Sequence, residues 1–337
     1  MQSAGSFELL RPASAGEAVV MLAREGARPL AGGTDLVPNL RRGIGAPRWL
    51  VDLSALPGFA AVHEDADGWR IGAGLTLAQL AQHAALGAAL PALAEAAAAV
   101  AGPAHRSAAT LGGNLCQDTR CVFYNQSAWW RAANDHCLKL EGDTCHVAPQ
   151  GKRCHAVYAG DVAPALIALG ASVTLLGAQD AQRTLPLAAL YQDDGAAHLK
   201  LQANELLVTV HVPSPSAGTV SGYRKMRARA AMDFPLAGVG MSLRLDAGRI
   251  AALKVGVAGT NSHPLELTGT EALIGQAADE AAAEALGKLV GKQVSPMRST
   301  VTAAHHRRLV AVAAAKRLLL ELAGAAAEAA HAPAATP

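Results

Sequence analysis

The stretch "RPLAGGTDLVPNLRRG" (residues 28–43) decides the fold. A short apolar strand ends near Ala31, the next two glycines make a turn, and Thr34 and Asp35 can cap a helix over Leu36–Arg42. Paired glycines let backbone N–H groups approach a phosphate closely, and a helix N-terminus favours negative charge. The stretch therefore predicts a strand–turn–helix unit suited to a nucleotide, although most isolated glycine pairs are plain turns.

A second glycine turn, "LGGN" at 111–114, follows about 80 residues later and also precedes a polar capping residue. Neither turn matches the G-x-G-x-x-G fingerprint or a Walker loop. Two such turns in one chain nevertheless favour a dinucleotide site over two unrelated turns.

Alternating and helical patterns surround these turns. Strands are predicted at Trp49–Ser54, Trp69–Leu77 and Glu205–Pro213, and three more between Ser221 and Gly259. A short helix and a strand are predicted within Ala163–Leu176. Helices are predicted from Thr76, and over Pro91–Val100, Glu271–Leu289 and Ala303–Ala330, with a linker at Ser214–Gly218.

All five cysteines lie in one patternless loop, at positions 116, 121, 137, 145 and 154. A loop this long needs an organiser, and an odd number of clustered cysteines favours metal ligation in a reducing compartment over disulfides. The last four lack the tight Cys-x2–4-Cys pair typical of zinc sites, and their spacing suits a [4Fe–4S] cluster. Zinc and metal-free thiols remain open, and His136, His146 and His155 are expected to be loop residues rather than ligands.

Bulk composition excludes some classes. The formal net charge of +2 gives no basic field for nucleic acid. No run of about 18 apolar residues predicts a membrane span, and Met1–Arg11 lacks the pattern of a targeting segment, so a cytoplasmic protein is expected.

Five motifs in order carry a family resemblance: "AGGTDL" (31–36), "ATLGGNL" (109–115), "GDVAPAL" (160–166), "ELLVTVHVP" (205–213) and "YRKMRARAAMDFPLAGVG" (223–240). Over roughly residues 5–320 the chain resembles the FAD-binding medium subunits of the xanthine dehydrogenase (molybdenum hydroxylase) family. The cysteine insertion most resembles that of 4-hydroxybenzoyl-CoA reductase β subunits, whose loop carries a [4Fe–4S] cluster. Periplasmic aldehyde oxidoreductases carry such a cluster in a less similar loop.

The resemblance implies an α+β chain with a vanillyl-alcohol-oxidase (PCMH)-type FAD-binding fold in two subdomains, residues 1–55 and 56–215, the second with the insertion at about 116–157. A C-terminal α/β domain of the CO dehydrogenase flavoprotein type follows at 219–325, then a flexible tail at 326–337.

It also implies site residues. FAD phosphates would lie on Ala31, Gly32, Gly33, Thr34, Asp35 and Leu36, and on Thr110, Gly112, Gly113 and Asn114. Asp161 would lie at the nucleotide end, with Leu207 and Lys225 near the flavin. Cys121, Cys137, Cys145 and Cys154 would ligate the cluster, leaving Cys116 as an apolar filler beside the flavin.

Plainer interpretations stand beside these roles: Asp161 as a helix N-cap, Lys225 as a solvated charge and Leu207 as core. Trp129 and Trp130 would either shield the cluster or anchor the loop.

The implied assembly is a dimer of heterotrimers, with one partner subunit holding molybdopterin cytosine dinucleotide and another holding [2Fe–2S] clusters. Ferredoxin would reduce the [4Fe–4S] cluster, and electrons would pass through FAD to molybdenum, where 4-hydroxybenzoyl-CoA is dehydroxylated to benzoyl-CoA. The alternative is a related hydroxylase or aldehyde oxidoreductase subunit running oxidatively, and a third hypothesis is a zinc-stapled binding protein without flavin. No catalytic acid, base or nucleophile is assigned to this chain.

Overall fold

A computed structural model describes residues 6–331, and the side chains of residues 6–328. The N-terminal unit is a three-stranded parallel sheet in the order β1-β3-β2. Its strands and helices are β1 (Glu8–Leu10), α1 (Ala15–Leu22), β2 (Ala27–Leu30), α2 (Leu36–Arg41) and β3 (Trp49–Asp52). Because β2 ends at Leu30 and α2 begins at Leu36, the first glycine turn lies at the sheet edge, as the sequence predicts.

The second unit is a five-stranded antiparallel sheet in the order β4-β5-β8-β6-β7. Its strands are β4 (Val62–Asp65), β5 (Gly68–Gly72), β6 (Ser172–Leu176), β7 (Gln182–Pro186) and β8 (Leu206–Pro213). Its helices are α3 (Leu77–Gln82), α4 (Ala84–Ala89), α5 (Pro91–Ala99), α6 (Pro103–Arg106), α7 (Leu111–Leu115), α8 (Ala128–Ala133) and α9 (Val162–Ala168).

Local capping explains where the first of these helices begins. The Thr76 hydroxyl accepts the Gln79 N–H at 3.2 Å, and the Gln79 amide oxygen accepts the Thr76 N–H at 3.1 Å. This reciprocal capping box satisfies N–H groups that a helix start leaves unpaired. Leu77 and Leu80 then point into the core of the second unit.

The C-terminal unit is a four-stranded antiparallel sheet in the order β12-β11-β10-β9. It contains β9 (Thr219–Met226), β10 (Ala237–Asp246), β11 (Arg249–Ala258), β12 (Leu265–Glu266), α10 (Glu280–Gln293) and α11 (Ala304–His331). Val239, Met241 and Leu243 of β10 alternate toward a core that α10 and α11 cover.

One prediction about this unit is wrong. The helix expected over Glu271–Leu289 is interrupted: a 3-10 turn over Thr270–Leu273 ends, Gly275 takes a φ of +83°, and α10 begins only at Glu280. Glycine reaches that backbone conformation without strain, so it ends the turn there. The helix predicted over Ala303–Ala330 is confirmed as α11. The flexible tail expected at 326–337 stays a prediction, and residues 332–337 lie outside the described part.

Within residues 6–331, every helix is too short or too polar to cross a membrane.

Candidate functional site

A cavity of about 1120 Å³ lies where the three units meet. Deep pockets of this kind are the usual sites of small ligands and cofactors. The residues that the resemblance assigns to FAD all line it: Ala31, Gly32, Gly33, Thr34, Asp35, Leu36, Thr110, Gly112, Gly113, Asn114, Asp161, Leu207 and Lys225. The structure therefore brings together residues that are up to 194 positions apart in the sequence (225 − 31).

The first glycine turn presents unpaired backbone donors to this cavity. Within the described residues, the N–H groups of Gly32, Gly33, Thr34 and Asp35 donate no hydrogen bond to another protein atom. Gly33 has a φ of +68°, and a Cβ on Gly32 would lie 1.8 Å from the Ala108 carbonyl oxygen. Both positions thus require glycine, and the turn is a concave set of donors suited to an anion.

Contrary to the prediction, the backbone N–H groups of the second glycine turn are not free to bind a phosphate. The N–H groups of Gly112, Gly113 and Asn114 donate to Ala73 O, Thr110 Oγ1 and Thr110 O, at 2.8, 3.1 and 2.9 Å. A Cβ on Gly112 would lie 2.8 Å from the Ala73 Cβ. This turn therefore shapes the cavity wall by close packing, and its amides are already used within the protein.

Asp35 does not cap α2, contrary to the sequence prediction. Its carboxylate makes no capping bond; it pairs with the Arg120 guanidinium and accepts the Asp118 N–H at 2.9 Å. Burial raises the pKa of Asp35, and the Arg120 charge opposes that rise. Asp35 thus ties the first glycine turn to the start of the cysteine loop.

Asp161 and Lys225 form a buried ion pair. Lys225 Nζ lies 2.9 Å from Asp161 Oδ2, and both side chains are 4% exposed. Tyr223 donates to Asp161 Oδ1 at 2.7 Å, and Lys225 also donates to Ala99 O at 3.0 Å. Burial raises the pKa of Asp161, while the Lys225 charge and the Tyr223 hydrogen bond favour its carboxylate form.

This pairing corrects two expectations. Lys225 is not a solvated charge. Asp161 is not the side-chain cap of α9, because the Val162 N–H donates to Asn114 Oδ1 instead, at 3.2 Å. The placement of Asp161 at the nucleotide end and of Lys225 near the flavin stays a prediction, and both residues line the large cavity. Leu207 is buried in the core of the second unit, as its plainer interpretation holds, and also lines the cavity.

His198 is a cavity residue that sequence patterns do not predict. Its side chain lines the same cavity, the residue is 6% exposed, and Nε2 has no hydrogen-bond partner among the described residues. Burial, together with the Lys139 charge, lowers the pKa of His198 to about 4. Buried polar atoms in proteins normally make a hydrogen bond, so the unpaired ring nitrogen of this neutral imidazole is available to a ligand in the cavity. A single histidine between polar residues carries no periodic signal, so pattern reasoning could not find it.

The four cysteines predicted as ligands line one small, separate cavity. Cys121, Cys137, Cys145 and Cys154 are all buried and all have free thiols. Within the described residues, no three side chains of His, Cys, Asp or Glu are arranged to hold a single metal ion. All four residues line the same cavity, as the ligand prediction requires, and that prediction and the zinc alternative both stay open. Cys116 instead lines the large cavity.

The environment of these thiols shifts their pKa values. Burial raises the pKa of Cys154 to about 12, and the charges of Cys145 and Cys121 act in the same direction. Burial also raises the pKa of Cys121, with contributions from Cys137 and Cys145. The Ala156 N–H donates to Cys154 Sγ at 3.3 Å, a bond of the kind that stabilises a thiolate.

The cysteine loop is closed at its base and held to all three units. Arg120 and Val157 exchange backbone hydrogen bonds of 2.8 and 2.7 Å. Arg131, 3% exposed, donates to the carbonyls of Arg42 and Gly43 at 3.2 and 2.8 Å, and the Val122 N–H donates to Ser299 O at 2.9 Å. Hydrogen bonds to the rest of the protein therefore hold the cysteine loop in place.

The aromatic residues of the loop have separate roles. Trp129 is 76% exposed and cannot shield the cysteine cavity. Trp130 packs against Phe123 with ring centroids 6.4 Å apart, and Phe123 lines the cavity. His146 also lines it, and its Nε2 contacts the His136 carbonyl. Trp130 thus supports the cavity wall, while its neighbour faces solvent.

Two side chains separate the cysteine cavity from the large one. Within the described residues, only Tyr124 and Lys139 line both. Lys139 Nζ lies 4.3 Å from the Tyr124 ring centroid. The two cavities therefore share a wall one side chain thick.

Comparisons with known proteins agree with this geometry. Residues 5–215 match the family described as the FAD binding domain in molybdopterin dehydrogenase, and residues 221–322 match the CO dehydrogenase flavoprotein C-terminal domain. The chain belongs to this family of FAD-binding subunits of molybdenum hydroxylases. The predicted fold class is thereby confirmed.

Individual relatives fall in the same class. The chain is 32% identical over 262 residues to the aldehyde oxidoreductase FAD-binding subunit PaoB of Escherichia coli K12, covering 75% of this chain and 80% of that one. It is 29% identical over 282 residues to the carbon monoxide dehydrogenase medium chain of Afipia carboxidovorans, covering 82% and 83%. Its structure matches a chain of the Cu,Mo-CO dehydrogenase in its cyanide-inactivated form with a TM-score of 0.79 and 25% identity, covering 96% and 100%.

Proposed function

We propose that this chain is an FAD- and [4Fe–4S]-carrying electron-transfer subunit of a molybdenum enzyme complex. The observation that carries the proposal is the pair of adjoining cavities. One is lined by the family's FAD motifs and the other by four free cysteines, with Tyr124 and Lys139 between them.

The large cavity fits FAD on grounds of size and donors. The unpaired N–H groups of Gly32, Gly33, Thr34 and Asp35 suit a pyrophosphate, which backbone amides in a glycine turn bind well. His198 Nε2 and Gln117 Nε2 are buried polar atoms on the cavity wall without a protein partner, as expected where a polar ligand completes the bonding.

The cysteine cavity suits an iron–sulfur cluster by the chemistry of its lining, which supplies four cysteines. Four thiols from one loop surround a space, and no single-ion arrangement occurs among the described residues. Four cysteine thiolates are the usual ligands of a cubane cluster. Phe123, Tyr124 and Leu138 supply apolar walls that would exclude water from it.

FAD, when bound, exchanges one or two electrons and so can link one-electron centres with a two-electron site. The chain's own residues position and enclose the cofactors. The first glycine turn binds phosphate. The Asp161–Lys225 ion pair places two opposite charges in the wall of the large cavity. The cysteine loop holds the cluster next to that cavity, with Tyr124 and Lys139 lining both. No residue here is proposed to act on an organic substrate.

The substrate reaction belongs to partner subunits in this proposal. The cysteine loop resembles that of 4-hydroxybenzoyl-CoA reductase, so we infer a complex that takes electrons from ferredoxin in the cytoplasm. They would pass through the [4Fe–4S] cluster and FAD to [2Fe–2S] clusters and a molybdopterin cytosine dinucleotide, reducing 4-hydroxybenzoyl-CoA to benzoyl-CoA. A dimer of heterotrimers is the expected assembly.

A second candidate follows from the 32% identity to the FAD-binding subunit of an aldehyde oxidoreductase. In that case aldehyde oxidation would release electrons through this chain in the opposite direction. Assay of the purified complex separates the two: aryl-CoA thioester with a low-potential donor for the first, aldehyde with an electron acceptor for the second.

A visible spectrum with iron and flavin analysis tests the cofactor proposal directly. We expect yellow-brown protein with one FAD and about four irons per chain. Yellow protein free of iron would refute the cluster, and colourless protein containing zinc would refute the whole proposal.

A further inference from the structure

The wall between the two cavities contains a buried positive charge. The Lys139 side chain is 5% exposed although it lines both cavities. Its ammonium donates to Asp118 Oδ1 at 2.6 Å, to Thr119 O at 3.1 Å and to Thr119 Oγ1 at 2.5 Å. All three donor positions are used, so the charge is held at one place.

The partners of Lys139 are themselves held in position. Thr119 is fully buried, and its hydroxyl donates to Gly195 O at 2.5 Å. The Thr119 N–H donates to Asp118 Oδ1 at 2.9 Å, and the Asp118 N–H donates to Asp35 Oδ2. The ammonium is thus tied to the first glycine turn on one side and stacked on the Tyr124 ring on the other.

Asp118 does not cancel the charge of Lys139 at the cysteine cavity. Asp118 is absent from that cavity's lining, whereas Lys139 belongs to it, and the Asp118 side chain is 30% exposed. Water screens a partly exposed carboxylate more than a buried ammonium. Of the two charges, it is that of Lys139 that lies on the wall of the thiol site.

We propose that Lys139 is an electrostatic tuning residue whose fixed positive charge makes it easier to add an electron to the centre in the cysteine cavity. The inference rests on the proposed function, because it requires a cluster there. Cys121, Cys137, Cys145 and Cys154 would hold the cluster, which would take up one electron at a time from a low-potential one-electron carrier and could pass it on to FAD. Nearby charge is one of the factors that set a cluster's potential.

Redox titration of the cluster, followed by electron paramagnetic resonance in the purified complex, tests this inference. Lys139→Met removes the positive charge and keeps the chain length, so we expect a lower midpoint potential than in the wild type. Asp118→Asn removes the opposing negative charge and keeps the Oδ1 acceptor, so we expect a higher one. Lys139→Arg keeps the charge and should stay near the wild type.

Opposite shifts in the two variants cannot come from simple loosening of the loop, which would affect both in the same way. Shifts of the same sign, or unchanged potentials, would overturn the inference. If Lys139→Met loses its iron, Asp118→Asn decides alone: a potential at or below the wild-type value overturns it. Iron analysis of the wild type separates this failure from that of the proposed function, since a wild type without iron refutes the cluster itself.

Discussion

The carboxylate of Asp35 is paired with the guanidinium of Arg120, which joins the first glycine turn to the start of the cysteine loop. Arg120 also lies 5.0 Å from the centroid of the Phe234 ring and donates to Asn39 Oδ1 at 3.4 Å. One arginine therefore links the proposed phosphate site, the loop and the C-terminal unit. A substitution in the cysteine loop should therefore change the affinity for FAD.

Arg120→Met is expected to lower the free energy of unfolding by about 1–2 kcal/mol, because it leaves the half-buried Asp35 carboxylate without its partner. FAD should bind about tenfold more weakly, corresponding to about 1.4 kcal/mol. Denaturant unfolding and flavin fluorescence titration measure the two effects. Arg120→Lys keeps the charge, so it should lose less free energy of unfolding and less FAD affinity than Arg120→Met. Wild-type FAD affinity in Arg120→Met would show that the pair has no bearing on the phosphate site.

Cys137→Ser should remove iron and leave FAD largely bound, because Cys137 lines the cysteine cavity and not the large one. Iron and flavin analysis of the purified variant measures this. Cys116→Ser is the matched control: Cys116 lines only the large cavity, so iron should stay at the wild-type level. Unchanged iron in Cys137→Ser would make the ligand assignment wrong.

Lys225→Met should lower the free energy of unfolding of the flavin-free protein by about 3–5 kcal/mol, because it leaves the buried Asp161 carboxylate unpaired. The double variant Asp161→Asn/Lys225→Met removes both charges and should regain much of that loss. Denaturant unfolding of the two variants tests the pair. A double variant no more stable than the single one would argue against charge burial as the cause.

His198→Gln should change how stability depends on pH. The pKa of His198 is about 4 in the folded protein, against about 6.5 unfolded. As pH falls from about 6.5 to 4, the unfolded chain takes up a proton that the folded chain does not, so stability is lost in that window and no further below it.

The difference between wild type and variant isolates this residue. Between pH 7.5 and 5.5 the wild type should lose about 1.4 kcal/mol more than His198→Gln, as measured by denaturant unfolding at each pH. His155 and His263 also have lowered pKa values but are common to both proteins, so their effects cancel. Parallel pH profiles would contradict the assignment.

Local sequence was sufficient for features that depend on neighbours in the chain. The turn at Gly32–Gly33 needs residues without a Cβ, and α3 begins at a Thr76–Gln79 capping box. Each feature is determined by residues that are close together in the sequence. The cysteine loop was visible because its residue types are rare and clustered.

The features that pattern reasoning missed all depend on contacts between distant segments. Asp35 could cap α2 by sequence, but the structure supplies Arg120, 85 residues away, as a stronger partner. Asp161 and Lys225 are 64 residues apart and pair only in the folded protein. By sequence pattern alone, Asp161 resembles a helix cap and Lys225 resembles a surface charge. His198 carries no motif, and its free nitrogen becomes evident only from burial.

The single backbone rung between Arg120 and Val157 has an architectural consequence. Since the chain leaves and re-enters the fold at adjacent positions, a tight hairpin could span the same gap without moving either flanking segment. The two ends of the cysteine loop therefore stay paired whatever its interior contains. Its interior does not stand apart from the rest of the fold, because Tyr124 and Lys139 of the loop also line the large cavity.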